Sequence, residues 1–120
     1  IPMALVTASP RVMADNVSAA LGSHYFQSIV STDDVVNSKP DPEGYLKAAR
    51  QLNVDIEKCL IVEDSNTGVR AAQASGASVV GLTHLTSFEP HPRTIAIPSI
   101  EAISGKSLND FYIPKIKEAN

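Results

Sequence analysis

The stretch from Cys59 to Gly76 constrains what this chain can fold into more than any other. Cys59, Leu60, Ile61 and Val62 form an apolar run too brief for a helix and rich in strand formers. Two acids, Glu63 and Asp64, follow at once. Ser65, Asn66, Thr67 and Gly68 then turn the chain into an Ala-rich amphipathic segment, Val69 to Ser75, closed by Gly76. Ser65 is placed to cap that helix, and Gly76 to end it in the left-handed conformation. A strand, an acid pair and a helix in this order suit an open α/β sheet, where ligands bind beyond the carboxyl ends of the strands. Two carboxylates at such an edge suit a hard cation such as Mg²⁺. The competing reading is an acidic turn that only caps a helix.

The same alternation recurs along the chain. Met3 to Val6 form an apolar strand leading into Thr7–Ala8–Ser9, with Ser9 as N-cap and Pro10 at the first helical position. Met13, Val17, Ala20 and Leu21 share one helical face, which predicts a core-packing stripe, and Gly22 ends that helix. Tyr25 and Phe26 are expected to pack in the connection to a second strand, Ser28 to Ser31, and Thr32 to Val36 form a turn. In Lys39–Pro40–Asp41–Pro42 the prolines restrict the backbone, and Asp41 caps a helix starting at Pro42. That helix carries Tyr45, Leu46, Ala49 and Leu52 on one face and ends near Asn53. Ser78 to Leu82 read as a fourth strand and Thr94 to Ile97 as a fifth. Ile100 to Ile103 give a short helical turn. In the tail from 104 to 120, Phe111, Tyr112 and Ile113 are expected to dock while Lys115 to Asn120 fray.

Strands alternating with helices of this length imply βαβ units and one parallel sheet, so the fold class is α/β, a Rossmann-like sheet flanked by helices. At 120 residues the chain holds one domain at most, and with 43% hydrophobic residues it can bury a core. The net charge of −3, with no basic stripe, argues against nucleic acid as a partner. The single cysteine, Cys59, lies in an apolar run, which predicts a buried structural thiol and a reducing compartment. No apolar run approaches the roughly 20 residues of a membrane span, and no signal peptide is visible, so a cytoplasmic location is the expectation. His24, His84 and His91 lack metal-ligand spacing, and Arg70 is expected to face solvent.

Aligned strand ends would gather a hydroxyl pair (Thr7, Ser9), an ammonium (Lys39) and two carboxylates (Glu63, Asp64) on one edge. Together these describe a phosphate site. The Thr7 hydroxyl and the N–H groups at the Ser9–Pro10 helix start can bind phosphate oxygens. Lys39 supplies a compact positive charge, and the carboxylates hold a Mg²⁺ that neutralises phosphate charge. The inventory lacks a nucleophile, and no Ser–His or Cys–His pairing supplies one.

On these residues the chain resembles the core of the haloacid dehalogenase superfamily, within it the beta-phosphoglucomutase-like and sugar-phosphate phosphatase branch. The likeness covers about residues 3 to 103. Ala4–Leu5–Val6–Thr7–Ala8–Ser9 resembles the family's second motif, and Ser38–Lys39–Pro40–Asp41–Pro42 its third. Leu60–Ile61–Val62–Glu63–Asp64–Ser65, continuing through Gly68, Ala71, Ala72 and Gly76–Ala77, resembles its fourth. The resemblance implies a catalytic role for Lys39 and Thr7 and phosphate binding by Thr7, Ala8, Ser9 and Lys39. It also implies direct Mg²⁺ ligation by Asp64, with Glu63 ligating it or acting through water. Arg11 is a further candidate for touching the phosphate or substrate.

The family's first motif, Asp-x-Asp-Gly-Thr, has no counterpart here, since no Asp-x-Asp occurs in the sequence. In proteins of this kind that motif's strand is central, and the helical cap is inserted after it. The resemblance therefore implies a partial core domain, residues 1–120, with a slot in its sheet that a missing N-terminal segment of the parent, or a separate chain, would complete. The expected parent is a Mg²⁺-dependent phosphatase of a small phosphorylated metabolite, such as a sugar phosphate, and the isolated chain would be inactive. Hydrolysis is favoured over phosphomutase chemistry because most members of the family are phosphatases. A non-catalytic α/β binding or regulatory module is the alternative; a receiver-like domain in particular would need its acid pair after the first strand, not the third.

Overall fold

The structure, a computed structural model, describes residues 1–83, 87, 88 and 90–98. The expectations for His84, for Ile100–Ile103 and for the 104–120 tail lie outside the described residues. The described elements run β1 (Ala4–Val6), α1 (Arg11–Leu21), β2 (Ser28–Val30), α2 (Glu43–Gln51), β3 (Leu60–Glu63), α3 (Asn66–Ser75), β4 (Ser78–Leu82) and β5 (Thr94–Ile97), with single 3₁₀ turns at Ser23–Tyr25, Thr32–Asp34 and Ile56–Lys58.

All described strand pairs are parallel, as the alternating pattern requires. The strands nevertheless fall into two groups: β1 pairs with β2, while β3, β4 and β5 pair in that order. β1 and β3 are not hydrogen-bonded to each other, so each presents an edge with no described strand against it.

Helix α2 packs on β1, β2 and α3, while α3 packs on β3 and β4, so these helices share a face and span the discontinuity. The main core lies beneath them. Tyr45, Ile61, Val69, Ala71, Ala72, Ala77 and Val79 form one buried cluster, with Val6, Ile56, Cys59 and Phe88 packed against it. A second cluster of Val80, Leu82 and Ile97, flanked by Leu60 and Ile95, uses the alternate residues of β3 to β5.

Caps fall close to the sequence reading. The Ser65 hydroxyl accepts the Gly68 N–H at 3.0 Å, and Gly76 ends α3 at φ +92°. Pro42, not Asp41, holds the N-cap position of α2, although the Asp41 carboxylate still accepts the Glu43 N–H at 2.9 Å. Pro10, not Ser9, holds the N-cap position of α1 and makes no side-chain cap.

The apolar stripe of α1 is a correction. Met13, Val17 and Leu21 are 53%, 47% and 59% exposed, and Ala20 is exposed as well. The helix instead buries Ala14 and Ser18, the next row round its surface, because small side chains let it lie close on β2. Cys59 is also corrected. It precedes β3 and is only half-buried, its thiol donating to the Asp55 carbonyl at 3.3 Å, and partial burial pushes that thiol's pKa up. Tyr25 is exposed, its ring stacked on His24 and not packed in the core.

Candidate functional site

β1 and β3 both end at the same edge, and Lys39 joins them. Its loop follows β2 and the 3₁₀ turn at Thr32–Asp34, leads through a cis Lys39–Pro40 peptide, and enters α2 after Asp41. Lys39 Nζ donates to the Val6 carbonyl at 3.1 Å and to Glu63 Oε1 at 2.5 Å. The paired side chains are only 14% and 10% exposed, which places this ion pair in a weakly screened setting. Thr7 follows Val6 directly and Asp64 follows Glu63 directly. The Lys39 ammonium therefore meets Glu63 where β1 and β3 end, and Thr7 and Asp64 are the next residues beyond those ends. A cleft there is lined by Val6, Thr7, Ser31, Ser38, Lys39, Asp41 and Tyr45, among others.

Each candidate has a definite place. Thr7 Oγ1 accepts the Ser9 N–H at 3.1 Å, which leaves its own O–H to donate. Ala8 is exposed in the turn, and Ser9 gives its carbonyl to the Thr32 N–H. Asp64 is exposed at the end of β3. Glu63 turns inward: besides Lys39, the Tyr45 hydroxyl donates to its Oε1. Gly68 lies against its other oxygen so closely that a Cβ there would overlap Glu63 Oε2.

The helix start differs from expectation. Pro10 has no N–H, the Ser9 N–H is used by Thr7, and the Arg11 N–H goes to Asp33 Oδ2 at 2.7 Å. Arg11 itself is held by Asp15 at 3.1 Å, by Asp34 at 3.0 Å and by the Ile29 carbonyl at 2.9 Å, so its guanidinium braces α1 against β2. Its hydrogen bond to Asp34 raises its pKa further. Hydrogen bonds from the Ser31 N–H and hydroxyl, ahead of the Arg11 charge, hold the Asp34 carboxyl below its ordinary range.

Tyr45 is the functional candidate that sequence reading missed, since its spacing marks it as one of a core-facing row. It is buried, and Lys39 Nζ stands 5.0 Å from its ring centroid. Burial, and then the Glu63 charge, push its phenol far above the usual tyrosine range, so it stays a protonated donor. A polar-tipped aromatic in a row otherwise made of Leu46, Ala49 and Leu52 was the available signal. Gly68, read as a turn residue, is required by its close approach to Glu63.

A family profile for haloacid dehalogenase-like hydrolases matches residues 1–76. The chain belongs to the haloacid dehalogenase-like hydrolase family. Validoxylamine A 7'-phosphate phosphatase of Streptomyces hygroscopicus is 38% identical over 84 residues, 69% of this chain and 39% of that protein. Fructose-1-phosphate phosphatase of Escherichia coli is 38% identical over 80 residues, 66% of this chain and 43% of that protein. A crystal structure of beta-phosphoglucomutase from Clostridium difficile superposes with a TM-score of 0.80 at 25% identity, covering 98% of this chain and 54% of that one. The chain thus spans about two-fifths of the length of these curated relatives. The haloacid dehalogenase-like fold is present in its described parallel strands and flanking helices. No helix among the described residues is long and apolar enough to cross a membrane.

Proposed function

We propose that the parent of this chain is a Mg²⁺-dependent phosphatase acting on a small phosphorylated metabolite, a sugar phosphate being the best-supported class. The observation that carries this is Lys39, held at the meeting point of two strand ends beside the Thr7 hydroxyl and the Glu63–Asp64 pair. Thr7, with Ala8 and Ser9, would bind the phosphate, and Lys39 would offset its charge. The relatives' names support the class, both being phosphatases of phosphorylated small molecules.

Asp64 is the residue that would hold Mg²⁺, since its carboxylate is exposed at the strand end while Glu63 is engaged by Lys39 and Tyr45. Among the described residues no three His, Cys, Asp or Glu side chains cluster as a metal site. Further ligands would therefore come from elsewhere in the parent. The metal, when bound, supplies charge neutralisation on the phosphoryl oxygens. We place the aspartyl nucleophile, absent from this sequence, on a further parallel strand between β1 and β3, whose facing edges have no described partner. The structural likeness to a beta-phosphoglucomutase favours phosphomutase chemistry as the second reading.

The test is hydrolysis of p-nitrophenyl phosphate and a panel of sugar phosphates by the whole protein, with Mg²⁺ and with EDTA. Inorganic phosphate release that needs Mg²⁺ and is lost in a folded Asp64→Asn variant is the expected result. Isomerised sugar phosphate without net phosphate release would select the mutase reading, and unchanged turnover by Asp64→Asn would remove Asp64 from the metal site.

A further inference from the structure

We propose that Tyr45 is a positioning residue for Lys39, a role that rests on the phosphate-site reading above. Tyr45 stands on the first turn of α2, buried, and touches the Lys39–Glu63 pair in two ways. Its hydroxyl donates to Glu63 Oε1, the oxygen that also receives Lys39 Nζ. Its ring lies 5.0 Å from that ammonium, within the range of a cation–π contact. Gly68 lies against the other side of Glu63 and leaves no room there for a methyl group. Lys39 is thus held by a carboxylate that is itself fixed from two directions, and by an aromatic face.

A phenylalanine would fill the same space among Val6, Ile61 and Val69, so the hydroxyl is not needed for packing. What it adds is direction. With one Glu63 oxygen accepting both donors, the ammonium is confined to the edge where β1 and β3 end, and a flexible four-carbon side chain acquires a fixed position. Tyr45 need not touch the phosphate to matter; it acts through Lys39.

The experiment uses the whole protein with Tyr45→Phe, Tyr45→Leu, Lys39→Met and the Tyr45→Phe/Lys39→Met double variant. Binding of inorganic phosphate is measured by calorimetry, the native-state rate of Lys39 reductive methylation by mass spectrometry, and folding by circular dichroism. Tyr45→Phe should weaken phosphate binding about tenfold, the scale of one hydrogen bond to a charged group. It should also speed Lys39 methylation, with Tyr45→Leu exceeding it in both. On the Lys39→Met background, Tyr45→Phe should change phosphate binding no further. A lowered melting temperature as the sole effect, or a Tyr45→Phe protein that binds phosphate and methylates like the wild type, would overturn the proposal. Wild type that binds no phosphate would overturn the phosphate-site reading instead, and the methylation rates would still decide the role of Tyr45. Tyr45→Phe carries the test if Tyr45→Leu fails to fold.

Discussion

Glu63 is the residue on which most contacts of the site depend. One of its oxygens receives Lys39 and Tyr45, and the other is closed in by Gly68. Gly68→Ala should therefore push Glu63 out of place. Because the Glu63 side chain is only 10% exposed and held by two donors, the displacement carries Lys39 with it. Turnover by the whole protein should fall at least tenfold, on the scale of a misplaced charged hydrogen bond, while circular dichroism still reports a folded chain. Gly68→Ala with wild-type kinetics would show that the pair relaxes freely. Asp34 makes a separate residue-scale claim. Its folded-state pKa lies below the ordinary 3.8, chiefly through the Ser31 N–H and hydroxyl. A carboxyl with a lowered folded pKa contributes stability that is complete above the unfolded value and is lost as pH falls through the folded one. Below about pH 4, chemical denaturation should show wild type losing stability more steeply than Asp34→Asn; parallel slopes would refute the assignment.

At the scale of elements, much was legible because local chemistry and periodicity agreed. β4 and β5 match their expected bounds, and α3 has its expected caps, since Ser65 and Gly76 act through the backbone alone. The acid pair at a strand end was legible for the same reason. Helix α1 was not. Its 3.6-residue pattern marked Met13, Val17 and Leu21 as core, but the pattern gives only the existence of an apolar face and not what lies beneath it. The described neighbours of α1 lie against Ala14 and Ser18. Val17→Lys should thus shift stability by no more than about 0.5 kcal/mol, as ordinary surface changes do. Ala14→Leu should cost about 1–3 kcal/mol by overpacking. Thermal or denaturant melts of the two variants decide it; the reverse order would show that the exposed stripe is covered in solution. The partner of the Tyr45 hydroxyl was illegible because the residue's spacing is that of a core position, and only the fold reveals that it meets an acid 18 positions away.

At the scale of the whole molecule, the described strands fall into two groups that the Lys39 contacts bridge. Helices α2 and α3 hold β1–β2 beside β3–β4–β5, and Lys39 ties their ends, yet no described strand joins them. On the proposed reading, these 120 residues alone carry the phosphate and charge-offsetting groups but no aspartyl nucleophile, so they should release no phosphate under conditions where the whole protein does. The central claim is that Lys39, fixed between the ends of β1 and β3, acts on a bound phosphate. Its most direct test is kcat/KM of the whole protein with a phosphomonoester before and after Lys39→Met. A loss of about a hundredfold or more, the scale of removing one preorganised charge-stabilising donor, is expected with the fold intact; a folded Lys39→Met protein with wild-type kcat/KM would contradict it.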